Sequence, residues 1–154
     1  MLVYRVAKTK WAGALDGEGA RLHGGSWNHI GTPCVYTSES RALAILEYTV
    51  NTNLDDIPRA LSIITIHVPD DETANFFMVP ISSLPGDWRD SPASGSTKDF
   101  GTGLLKKNFH SLCIPSVIIP KEFNFLLNPL QGSGVSFTVV EIEDFIYDIR
   151  IKTV

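Results

Sequence analysis

Cysteine is scarce in this 154-residue sequence, which holds only Cys34 and Cys113, both in apolar, strand-like runs. They read as small buried hydrophobes, so neither a disulfide framework nor a metal pair is expected. Basic charge is also thin. Lys and Arg number 13 against 17 Asp and Glu, a net charge of −4, which argues against direct nucleic-acid binding because phosphate recognition needs concentrated Lys and Arg. No apolar run is long enough to cross a bilayer, so no membrane partner is expected. The opening Met-Leu-Val-Tyr-Arg-Val enters a strand-like pattern at once, with no signal-peptide pattern, and the cytoplasm is the simplest address. The glycines near position 24 form neither a Walker loop nor a Rossmann fingerprint. His23 and His29 flank that loop with no second ligand at metal spacing, and read as solvated loop residues rather than a metal site.

What remains is ordinary globular material. Apolar residues make up 44% and charged residues 19%, which suits a soluble chain with one hydrophobic core, and residues 1–154 read as a single domain. Strand patterns run from Leu2 to Ala7, Cys34 to Thr37, Ala60 to Val68, Phe76 to Ile81, Leu112 to Ile119 with an interruption at Pro115-Ser116, and Phe123 to Asn128. Gly132-Ser133-Gly134 reads as a turn. Val135 to Ile142 and Phe145 to Ile151 then read as a closing antiparallel hairpin about an acidic turn at Glu143-Asp144. Asp87 to Gly103 is irregular, either a surface loop or a lid. Ser96 or Thr97 could cap a helix running towards Asn108.

The most informative stretch is Gly19 to Asn51. A glycine-rich loop carries Arg21, Ser26, Trp27 and Asn28; the strand with Tyr36 follows; a helix then opens at Ser38, with Glu39 in its first turn. Gly24-Gly25 permits positive φ and close approach of a ligand, though a tight turn with Trp27 as a core plug would look the same. Ala42, Leu43, Ile45, Leu46, Thr49 and Val50 form one helical apolar face. Glu47 falls at its border, where a carboxylate is either half-solvated or aimed into a cleft. Arg5, inside the first strand, either snorkels from an edge or lines a pocket. Ser116, after Pro115, either satisfies backbone at a bulge or serves a site. No His–Asp relay accompanies it, so it does not read as a hydrolase nucleophile.

Several runs together resemble the RES domain family, named for an arginine, a glutamate and a serine. They are Val3-Tyr4-Arg5-Val6, Gly19-Ala20-Arg21, Gly24-Gly25-Ser26-Trp27-Asn28, Val35 to Ser40, Ala42 to Glu47, Pro115 to Pro120 and Asn124 to Pro129, and they span nearly the whole chain. The resemblance implies an α+β fold of curved, mostly antiparallel sheets with a few short helices, similar to ADP-ribosyltransferase toxins. It implies a bacterial toxin of a type II toxin–antitoxin pair that depletes NAD by cleaving the nicotinamide–ribose bond, with water or inorganic phosphate as acceptor. NAD is then substrate, with no other cofactor. Glu47 would stabilise the oxocarbenium-like ribose cation, Ser116 would orient Glu47 or the ligand, and Tyr36 would stack on nicotinamide or bond to its carboxamide. Arg5 and Arg21 would clamp the pyrophosphate, with Ser26, Trp27, Asn28 and Tyr36 lining the same site. The family pattern has arginine where Ser26 stands, so this chain is expected to be impaired, as an inactivated form or a weakened natural relative. The implied partner is an Xre-like helix-turn-helix antitoxin, with a possible dimer inside the complex. The competing functions are mono-ADP-ribosylation of a protein and a non-catalytic antitoxin-binding module.

Overall fold

The computed structural model describes residues 1–70, 75–107, 109–130 and 136–152. Its strands are β1 (Leu2–Lys8), β2 (Val35–Ser38), β3 (Leu61–His67), β4 (Phe76–Met78), β5 (Ser111–Pro115), β6 (Phe123–Leu127) and β7 (Thr138–Phe145). Its α-helices are α1 (Glu18–His23), α2 (Arg41–Val50) and α3 (Gly95–Leu105). The strands form one sheet in the order β4-β5-β6-β2-β1-β3-β7. Every pairing is antiparallel except that of β4 with β5. The architecture is thus α+β and mostly antiparallel, as expected.

Side chains alternate across the strands, and the alternation divides the core in two. Val3, Val35, Ile64, Ile66, Cys113, Phe125 and Leu127 pack together in one cluster. The neighbouring positions Leu112, Ile114 and Leu126 join a second cluster with Trp27, Trp88, Leu104 and Leu105 from the loops and α3. Both cysteines are free and buried in these clusters. Tyr36, Ser38 and Asn124 share the parity of Ile114 and Leu126, so period two alone directs them to the second face.

Several boundaries differ from the sequence expectations. Helix α2 is capped by Ser40, whose hydroxyl accepts from the Leu43 amide at 3.1 Å. Ser38 stays in β2 because its hydroxyl is committed to Asn124, and Glu39 therefore lies outside the first turn. Helix α3 is likewise capped by Ser94, two residues before the expected Ser96. Part of the glycine-rich loop is helix α1, which buries no residue of its own. It closes at Gly24, whose φ of +72° suits glycine, with the Gly24 amide bonded to Ala20 O. Asn28 Nδ2 also donates to Ala20 O, so the following loop holds the helix end from outside.

A further correction is the C-terminal hairpin, which does not form. β7 runs straight through Glu143 and Asp144 and pairs with β3 over its length, with one bulge at Thr65/Ile66. Arg41 of α2 bonds to Glu141 and Glu143, so Glu143 of the pair read as a turn is neutralised from across the chain. The expected second strand, Phe145 to Ile151, ends in one turn of 3-10 helix at Ile149–Ile151. The proposed Gly132-Ser133-Gly134 turn lies outside the described residues. β4 and β5 stop earlier than the apolar runs suggested, at Met78 and Pro115.

Candidate active site

Glu47 stands in the second half of α2, one turn from Leu43 and Ala44, both of which are buried against the sheet. That spacing turns its half-buried carboxylate towards the sheet rather than to open solvent. Oε1 accepts from Ser116 Oγ at 3.1 Å and from Asn124 Nδ2. Ser116 Oγ in turn accepts from the amides of Ile118 (3.1 Å) and Ile119 (3.2 Å). Both acceptor positions of the hydroxyl are filled, so its single proton goes to Glu47. The chain bends sharply after Pro115 to present these amides, which is why β5 ends there.

Around Glu47 lies a two-lobed cleft. The first lobe, about 440 Å³, is walled by Tyr4, Arg5 and Val6 of β1, by Tyr36 and Ser38 of β2, and by the Gly24–Trp27 loop. β1 and β2 share a single register pair, Tyr4 with Ser38. The lobe opens where they diverge, which is how three consecutive β1 residues border it. The second lobe, about 720 Å³, is bounded by Trp88, residues 90–93, Lys98, Val117 and Ile118. Ser26, Trp27, Glu47 and Asn124 border both lobes.

The loop between the lobes is built on Tyr36. Its hydroxyl accepts from the Trp27 amide at 2.9 Å and donates to Asn28 Oδ1 at 2.7 Å. A Cβ at position 25 would sit 2.5 Å from that hydroxyl, so Gly25 is required by close approach. Burial, with Cys34 contributing, raises the phenol's pKa well above the ordinary tyrosine range. Trp27 is itself buried, 6.3 Å from Trp88 and 6.4 Å from Phe100 between ring centroids. It plugs the second core cluster and also borders the cleft.

Residues 2–148 match the RES domain family. The chain belongs to that family. A protein named Prs ADP-ribosylating toxin from Sphingobium sp. strain YBL2 is 34% identical over 94% of this chain and 91% of its own length. Proteins named Toxin Res from Photorhabdus laumondii and Yersinia enterocolitica are 35% and 32% identical, over 98% and 99% of this chain and 97% and 100% of theirs. The fold is similar to that in a crystal structure of the M. tuberculosis MbcT–MbcA toxin–antitoxin complex. The TM-score is 0.73 at 19% identity, over 94% of this chain and 84% of that one.

Within this RES domain the anticipated site residues separate into two groups. Arg5, Ser26, Trp27, Tyr36 and Glu47 border the first lobe, and Ser116 reaches it through Glu47. Arg5 donates through Nη2 to Trp11 O at 2.9 Å, and its Nε is buried with no partner among the described residues. Burial lowers its pKa below the usual guanidinium value, with Asp16 opposing. Ser26 makes no side-chain hydrogen bond among the described residues. Arg21 and Asn28 do not border either lobe. Arg21 is paired with Glu18 on the surface of α1. Asn28 is fully buried, with its amide donating to three carbonyls, those of Ala20, His29 and Thr32. His29 bonds to Asp99 at 2.6 Å at the surface. Among the described residues, no group of three His, Cys, Asp or Glu side chains could hold a metal ion.

Sequence reasoning gave no role to Asn124 and read Ser38 only as a helix cap. The signal was present: a polar amide between Phe123 and Phe125 in a strand, where asparagine is disfavoured unless its side chain has work to do.

Proposed function

We propose that this RES domain cleaves the nicotinamide–ribose bond of NAD and acts as the toxin of a toxin–antitoxin pair. The observation that carries the reading is the Glu47 carboxylate, held in the cleft by uncharged donors. Its second oxygen, Oε2, has no partner among the described residues. Loss of nicotinamide takes the bonding electron pair with the leaving nitrogen and develops positive charge at the ribose. A fixed carboxylate beside that ribose stabilises the charge and can accept from the 2′-hydroxyl. The acceptor oxygen, of water or inorganic phosphate, then bonds to the anomeric carbon and releases a proton.

The remaining lining supports the same reading. Arg5 is the one Lys or Arg that borders the first lobe among the described residues, and a guanidinium there suits a pyrophosphate oxygen. The Tyr36 hydroxyl proton is committed to Asn28 within the loop, and its ring face serves the nicotinamide by stacking. Arg21 would contribute to the clamp by leaving Glu18. Ser26 stands at the junction of the lobes, where the arginine of the family pattern would add a second cation. The relatives named as toxins and the acidic charge of the chain favour a helix-turn-helix antitoxin that carries the DNA contact. The name of the Sphingobium relative favours a second reading, transfer of ADP-ribose to a protein, with the wider second lobe admitting the acceptor.

The test is nicotinamide release from NAD, with and without phosphate, by this chain and by Ser26→Arg. Release by either form, faster with arginine at 26, is expected. Glu47→Gln added to the active form should lower it by roughly 10² to 10³-fold. Release at the full rate in Glu47→Gln would overturn the assignment of Glu47. No release from either form, together with ADP-ribose found on a protein target by mass spectrometry, would favour the second reading.

A further inference from the structure

Glu47 is a single carboxylate with two oxygens in unequal surroundings, and the inequality is built by residues on β2 and β6. Ser38 and Asn124 are direct cross-strand partners in the β2–β6 register. Ser38 Oγ donates to Asn124 Oδ1 at 2.7 Å, and Asn124 Nδ2 donates to Glu47 Oε1. The opposite amide orientation would set the Asn124 carbonyl against the carboxylate and leave two oxygens facing each other. The acceptor-only carboxylate therefore selects the amide orientation, and the Ser38 hydroxyl holds the other end of the amide in place. Ser116 donates to the same Oε1 from the other side.

We propose that Asn124, oriented by Ser38, is a positioning residue for Glu47. It anchors Oε1 as the inner oxygen and turns Oε2 to the ribose. This rests on the NAD reading above and adds a residue pair to it. The arrangement has a chemical logic. Neutral donors fix the carboxylate without cancelling its charge, which a lysine or arginine in the place of Asn124 would do. A carboxylate free to rotate would lose alignment with the ribose, and a displacement of about 1 Å can lower turnover roughly 100-fold.

Two measurements test it. The first needs no turnover: the side-chain amide of Asn124 followed by NMR in the ¹⁵N-labelled full chain. The two amide protons should be well separated, with one at the position of a carboxylate-bonded proton. Glu47→Ala should move that resonance, Ser38→Ala should move it less, and Ser38→Thr should restore it. An amide signal unmoved by Glu47→Ala overturns the proposal even if no form of the protein consumes NAD. The second uses whichever of the chain or Ser26→Arg releases nicotinamide. Asn124→Leu should lower kcat roughly 100-fold with KM for NAD unchanged. Ser38→Ala should fall between it and the parent, with Ser38→Thr close to the parent. Equal kcat in Asn124→Leu and the parent overturns the positioning role while leaving NAD cleavage itself standing.

Discussion

Helix α2 carries a charge to each of two seams in the sheet and treats them in opposite ways. At its start Arg41 reaches over the Tyr4 ring, at 5.5 Å, to Glu141 and Glu143 on β7. The partners are of opposite charge, and each of these side chains is 42 to 51% exposed. Two turns later Glu47 meets Ser116 and Asn124, both neutral, on the better buried side of the same helix. The first seam cancels its charge and joins an edge strand to the rest of the fold. The second keeps its charge and fixes its direction. A carboxylate that is held but not neutralised suits chemistry, and one that is neutralised suits architecture.

The largest effect should come from the uncancelled charge. Glu47→Gln keeps an oxygen that can accept from Ser116 and Asn124, so the urea midpoint should barely move. Nicotinamide release by a turnover-competent form should fall by roughly 10² to 10³-fold. A large loss of both stability and rate would mean that Glu47 is as structural as Arg41, and the contrast would collapse. Next comes the apolar support of the cleft. Trp27→Ala removes a buried indole between Trp88 and Phe100 and should cost about 3–5 kcal/mol by urea unfolding. A loss below about 1 kcal/mol would show that the loop does not depend on this plug.

Ser116→Ala probes the neutral seam from the other side. It leaves the Ile118 and Ile119 amides without their acceptor, a cost of about 1–3 kcal/mol, and frees Glu47 on one side, so both stability and kcat should fall. Loss of stability alone would restrict Ser116 to closing the bend after β5. At the ionic seam the change should be smaller. Arg41→Ala should lower the urea midpoint slightly at low salt, and the difference from the parent should shrink as salt is raised, because exposed pairs are screened. Nicotinamide release should not change. A salt-independent deficit would mean that packing on Tyr4, not charge, is what Arg41 supplies.

The smallest effect lies in the segment that follows β7. Asp148 is half-exposed, and the Arg150 side chain and amide hold its carboxyl down to about 2. Because the folded value is depressed, its contribution is present above the ordinary carboxylate range and is lost as pH falls through about 2. Asp148→Asn should therefore differ from the parent in unfolding near neutral pH and converge with it in strong acid. Divergence that grows on acidification would reverse the sign of this linkage.

Much of the fold could be read from local pattern. β1, β3 and β6 follow their alternating or β-branched runs to within two residues of the structure, and the apolar face of α2 correctly marked Glu47 as a border residue. The errors share a cause, which is that the deciding partner was distant in sequence. Ser38 is an acceptable N-cap by type, yet its hydroxyl is drawn to Asn124, 86 positions away. Glu143-Asp144 resembles a turn until Arg41, 102 positions away, neutralises Glu143 inside a strand. Helix α1 has a glycine in its first turn and no buried face, so nothing in its own composition announces a helix. Its Glu18–Arg21 pair and the Asn28 amide on Ala20 O supply what propensity lacks.

The sequence by itself determined the alternating and helical hydrophobic periods, the acidic balance, the burial of Cys34 and Cys113, and a set of runs specific enough to identify the RES family. These are properties of neighbouring residues, and short-range sterics and transfer free energy make them readable. Only the tertiary structure decided which polar residues meet. It separated Arg5, at the cleft wall, from Arg21, paired on the surface. It committed the Tyr36 hydroxyl to the loop and brought Ser38, Asn124, Glu47 and Ser116 into one chain of hydrogen bonds. Hydrogen bonds are short and directional, and their partners here come from β2, α2, β6 and the bend after β5. Strand register and helix packing must bring such groups within about 3 Å before their chemistry exists.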